Sequence, residues 1–107
     1  MIIAFELSMP RNNAWNNRWS GQEKRHVKVV NVGTSQKART KYAALIATGR
    51  FDYDFGDGWG ACVTVSEVDR AEARKLRAQS AGFCGYDWMI DSIRHEGRIV
   101  APSTQGV

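Results

Sequence analysis

Phe51-Asp52-Tyr53-Asp54-Phe55-Gly56-Asp57-Gly58-Trp59-Gly60-Ala61-Cys62-Val63-Thr64-Val65-Ser66 is two alternating runs hinged on glycines. In the first run Phe51, Tyr53 and Phe55 alternate with Asp52 and Asp54. In the second, Trp59, Ala61, Val63 and Val65 alternate with Gly60, Cys62, Thr64 and Ser66. Side chains on a strand point to opposite faces in turn, so each run buries one face and wets the other. Gly56-Asp57-Gly58 supplies the positive φ values of a tight turn. The stretch reads as a β-hairpin with an aromatic and aliphatic inner face.

Moving toward the N-terminus, Ala38, Tyr42, Leu45 and Ile46 recur at helical spacing. Thr34 or Ser35 offers a capping hydroxyl before them and Gly49 a terminating residue after, which predicts a helix over 35–48. His26–Val32 is valine-rich and predicts a strand ended by Gly33. Residues 11–25 are polar and Asn-rich and read as a long loop, a feature often tied to function. Residues 2–9 alternate again, with Ile3, Phe5, Leu7 and Met9 on one side, and Pro10 ends that strand. Toward the C-terminus, Asp69 and Glu72 have the spacing of a capping box, which predicts a helix over 70–80 with Ala73 and Leu76 inward. Gly82 and Gly85 bracket a tight connection. Tyr86, Met89, Ile90 and Ile93 then form one helical stripe over 86–96, closed by Gly97. Residues 101–107 read as a flexible tail. The order β-β-α-β-β-α-α predicts an α+β fold. It combines an antiparallel sheet of about four strands with two or three helices on one face, as a single domain over 1–100.

The chain has 107 residues, enough for one core and too few for two ordinary domains. No run of about 18 apolar residues is present, so no membrane span is expected. The opening meets Glu6 too early for a secretory leader, and a cytoplasmic setting is expected. Cys62 and Cys84 are too few for a disulfide scaffold and are expected to be small buried hydrophobes. Net charge is +4, unevenly spread: residues 1–50 carry nine Lys/Arg against two acids, residues 51–107 six against nine. That split predicts one electropositive surface, suited to polyanions or acidic proteins, and one acidic surface.

Motifs for chemistry fail on spacing. Cys62, Cys84, His26 and His95 are zinc-ligand types without zinc-site intervals, and Asp91 with His95 reads as a surface pair. Asp52, Asp54 and Asp57 approximate a calcium loop but put Val63 where its glutamate belongs. Gly56, Gly58 and Gly60 lie between two strands, so they are no phosphate cradle. Cys84 has no local mark of activation. No catalytic residue, metal or cofactor is expected. Binding residues are more legible. Trp15 and Trp19 interleave with Arg11, Arg18, Lys24 and Arg25, a mixture that stacks bases and neutralises phosphates, or that makes an interface hot spot. Arg70, Arg74 and Arg77 at i, i+4, i+7 form a basic helical stripe. The plainer alternatives are tryptophans packed over the sheet and arginines on a solvated helix face.

Tyr53–Ala61 and Ser80–Ile93 (SAGFCGYDWMIDSI), with the opening Met1–Pro10 and Trp15 and Trp19, resemble a group of short phage and prophage accessory proteins. The resemblance implies a phage origin and work in the host cytoplasm by occupying a host machine, defence complexes such as CRISPR effectors included. It carries over no catalytic residue. The resulting expectation is a non-enzymatic protein that binds and inhibits or redirects a host protein or nucleoprotein complex. A small basic nucleic-acid-binding protein is the alternative.

Overall fold

The computed structural model describes residues 1–9, 24–56, 59–80 and 87–100. The elements run β1 (Ile2–Met9), β2 (Lys24–Asn31), α1 (Gln36–Thr48), β3 (Arg50–Gly56), β4 (Trp59–Val68), α2 (Arg70–Gln79) and α3 (Asp87–Glu96). The four strands form one antiparallel sheet in the order β2-β1-β4-β3, so the fold is α+β with the expected succession of elements. Lys24 and Arg25, assigned by sequence to a loop over 11–25, already pair with Met9 and Ser8 as part of β2. Residues 10–23, the Asp57-Gly58 turn, residues 81–86 and the 101–107 tail lie outside the described residues.

Where its side chains are described, the inner face of the hairpin is where the alternation put it, with Phe55 and Trp59 outside that description. Phe51, Ala61, Val63 and Val65 are buried with Ile3, Phe5 and Leu7 of β1, under Tyr42 and Leu45 of α1 and Met89, Ile90 and Ile93 of α3. Tyr53 and Trp88 close its margin in an edge-to-face contact, ring centroids 5.4 Å apart. Local signals set the helix limits. Ser35 caps α1 by accepting from the Ala38 N–H at 3.1 Å. Gly49, with φ of 74°, ends it by donating to the Leu45 carbonyl. Asp69 caps α2 by accepting from the Glu72 N–H at 2.8 Å.

The helices do not share one face. α1 and α3 cover the first face, while α2 crosses the second, where Leu76 packs with Ala4 and Val27, flanked by Val29 and Val68. The cause lies in β2 and β4. Val27, Val29 and Val68 occupy the face opposite Val30 and Val65, so both faces near β1 and β2 are apolar and each needs a cover. Elsewhere the second face is polar: Glu6, Ser8, Cys62, Thr64 and Ser66 are half-buried, and Asp52 and Asp54 are exposed.

Candidate functional site

The end of β2 is where charge collects. Register sets Ile2 of β1 opposite both Asn31 and Val68, so the chain leaving β4 into α2 starts beside the residue from which β2 departs into α1. Two depressions open there, one on each face, and both are lined by Asn31. The depression under α2 has about 240 Å³ and is walled by Arg70, Arg74 and Arg77 with Ile2 and Ala73. The depression under α1 has about 300 Å³ and is walled by Lys37, Lys41 and Arg94, with Ser35 and Tyr42. Arg70, Arg74, Arg77, Lys37 and Lys41 are exposed, and none forms an ion pair among the described residues.

Helix geometry explains how one stripe of arginines reaches this spot. Ala73 and Leu76 fix the inner face of α2, and Arg70, Arg74 and Arg77 flank it on one side. In α1, Lys37, Arg39 and Lys41 fall in the N-terminal half, and the helix has no acid in its first turn and no base in its last. Cations at a helix N-terminus oppose the macrodipole. That placement contributes nothing to the stability of α1, and it adds to the positive potential at Asn31.

Among the described residues the cations at this end come from both halves of the chain. Lys37 and Lys41 come from the basic half, Arg70, Arg74, Arg77 and Arg94 from the acidic one, because the antiparallel pairing of β1 with both β2 and β4 brings those segments to one end. Acidic residues are not excluded from this end: Glu67, Asp69 and Glu72 stand where β4 leads into α2, while Asp52 and Asp54 are on the edge strand β3. There Arg50 is held by Asp52 at 3.0 Å, a hydrogen bond that raises the guanidinium pKa.

Of the residues singled out by sequence, Arg70, Arg74 and Arg77 are brought together. Lys24 and Arg25 lie on β2, opposite Met9 and Ser8. Arg11, Trp15, Arg18 and Trp19 lie outside the described residues, as does Cys84. The sequence reading missed Asn31, Lys37, Lys41 and Arg94. For Lys37 and Lys41 the signal was present as an i, i+4 pair of cations at the start of a helix without acids. Nothing local marked Asn31 or Arg94.

The reading also missed a polar chain at the outer edge of β2. His26 is 8% exposed. Its Nε2 lies 2.6 Å from Asp87 Oδ1 and its Nδ1 3.4 Å from Ser80 Oγ, which accepts from the Val27 N–H at 2.9 Å. Serine, imidazole and carboxylate in sequence are hydrolase residue types. Here the hydroxyl satisfies an outward-facing N–H of an edge strand, and the ring is enclosed with both nitrogens engaged. The chain ties the end of α2 and the start of α3 to the sheet, and it blunts half of an exposed edge. His26 thus links β2 to both helix ends through its two ring nitrogens.

Another expectation changes. Cys62 is half-buried on the polar face with its Sγ 3.3 Å from Ser8 Oγ, because position 62 alternates away from the apolar side of β4. Asp91, read as half of a surface pair with His95, also takes Lys28 Nζ at 3.3 Å across to β2. Among the described residues no three His, Cys, Asp or Glu side chains group as a metal site, and no helix is long and apolar enough to cross a membrane. Comparison with family models, curated proteins and solved structures found no match.

Proposed function

We propose that the chain is a non-enzymatic binding protein that docks through the cationic end of β2 on a larger host protein or nucleoprotein complex, and inhibits or redirects it. The observation that carries this reading is the convergence on Asn31 of six cations from three helices, walling two depressions on opposite faces of one strand. Unpaired like charges repel one another and are costly to gather. Drawn from both halves of the chain, they suit a surface that meets an anionic partner and steers its approach. The phage-protein resemblance supports a host cytoplasmic partner, with anti-defence inhibition, anti-CRISPR activity included, as the setting.

The test is affinity capture from host lysate with the intact chain and with R70E/R74E/R77E. We expect a defined complex to be recovered by the first and lost with the second, while the variant keeps the circular dichroism of the parent. Equal recovery by both proteins would show that this surface is not the docking site.

A further inference from the structure

We propose that the anionic element held at this surface is the phosphodiester backbone of a nucleic acid, with phosphates seated in the two depressions on either side of Asn31. The inference rests on the docking reading above and names what is docked.

Both depressions are lined mainly by groups that can donate a hydrogen bond. The Asn31 side-chain oxygen accepts from the Gly33 N–H at 3.1 Å, which leaves its amide hydrogens for the surface. Ser35 Oγ accepts from the Ala38 N–H and keeps its own hydrogen to donate. Tyr42 Oη accepts from Arg94 Nε at 3.3 Å and likewise retains its hydrogen. Arg70, Arg74, Arg77, Lys37 and Lys41 are donors only. A wall of donors is complementary to a group that only accepts, which describes a phosphodiester. The guanidinium fork matches paired phosphate oxygens in geometry as well as in charge.

The two cationic depressions offer little apolar surface themselves, although an apolar depression of about 670 Å³ lined by Met1, Ala43, Ile46 and Ala47 opens beside them. Protein interfaces centre on buried aromatic or aliphatic anchors, and charge is depleted from their cores. Among the described residues the exposed large hydrophobic is Val100, which lines neither depression. Within the two depressions charge dominates, which fits a ligand bound through its charge. Contacts from arginine and lysine to phosphates position a nucleic acid without reading its bases. The expected binding is therefore insensitive to sequence.

The experiment is fluorescence anisotropy of the full chain with labelled single-stranded and duplex oligonucleotides of mixed sequence, titrated with salt. Affinity is expected to fall linearly on a log-log plot. R74Q/R77Q and K37Q/K41Q are each expected to make that plot shallower. The slope should drop by about 0.9 for each phosphate no longer neutralised on duplex, or about 0.7 on single strands. R50Q, on the opposite edge and paired with Asp52, is expected to change nothing. Arg74, Arg77, Lys37 and Lys41 are exposed, with Lys41 Nζ 5.7 Å from the Tyr42 ring centroid, and unchanged melting temperatures confirm folding.

No binding at low salt, or binding indifferent to both pairs of substitutions, overturns the inference. Competition by polyglutamate as effective as by oligonucleotide assigns the surface to acidic protein and also overturns it. So does saturation by inorganic phosphate at matched ionic strength. If oligonucleotides fail while host capture survives nuclease digestion and still needs Arg70, Arg74 and Arg77, docking stands and nucleic acid falls. If host capture also ignores those arginines, both readings fall.

Discussion

On the first face of the sheet, Ile3, Phe5 and Leu7 meet aromatic and aliphatic side chains from two strands and two helices, with no exposed surface left on any of the three. On the second face, Ala4 meets Val27 and Leu76, and apolar contact ends near β1 and β2. The first face carries most of the buried apolar area and hence most of the driving force for folding. The second holds one helix by a narrow contact, and that helix carries the arginines. A helix anchored by Ala73 and Leu76 alone can give its flank to Arg70, Arg74 and Arg77. A helix packed as deeply as α3, with Met89, Ile90 and Ile93 all buried, has less surface to give. Stability and surface chemistry are thus divided between the faces.

The sharpest challenge to that division is a pair of truncations read by urea unfolding. Phe5→Ala is expected to cost about 3–5 kcal/mol, as for other fully buried phenylalanines, and to lower the midpoint of the whole transition. Leu76→Ala is expected near ~2 kcal/mol, the low end of the range for its type, because its cavity opens toward solvent. Equal costs would mean that the two faces form one core.

A smaller effect is expected between the edges. A Cβ at Gly60 would meet the Tyr53 carbonyl oxygen at 2.5 Å, a backbone atom that cannot swing aside. Gly60→Ala is expected to lower stability by about 1–3 kcal/mol through forced separation of β3 from β4. Ser80→Ala leaves the Val27 N–H without its side-chain partner at the β2 edge, and about 1–2 kcal/mol is expected. Hydrogen exchange at Val27 reports it directly, and unchanged protection there would show that the Ser80 hydroxyl does not guard the edge.

Smaller still is the cap of α2. Asp69→Ala is expected to cost about 1 kcal/mol by freeing the Glu72 N–H, seen as fraying at the start of α2 before global unfolding. Arg74→Gln and Arg77→Gln close the series with changes within about 0.5 kcal/mol, measured by thermal unfolding. A large loss from either would give the arginine flank a structural role and erase the contrast between the faces.

The amino-acid sequence alone determined every element whose cause is local. Alternation over Phe51–Ser66 and Ile2–Met9, the hydroxyl of Ser35, the carboxylate of Asp69 and the positive φ at Gly49 each act within a few residues. Strands, caps and the apolar faces of helices could therefore be read without coordinates. Tertiary structure alone decided which helix covers which face, since that depends on how Val27, Val29 and Val68 add up across neighbouring strands. It also decided the site. Arg70, Arg74 and Arg77 were visible as a stripe, but Lys37, Lys41, Arg94 and Asn31 join them through strand register. The closure of His26 between Ser80 and Asp87 joins segments more than fifty residues apart. Periodicity reports which way a side chain faces on its own element; which charges become neighbours is set by the pairing of segments far apart in the chain.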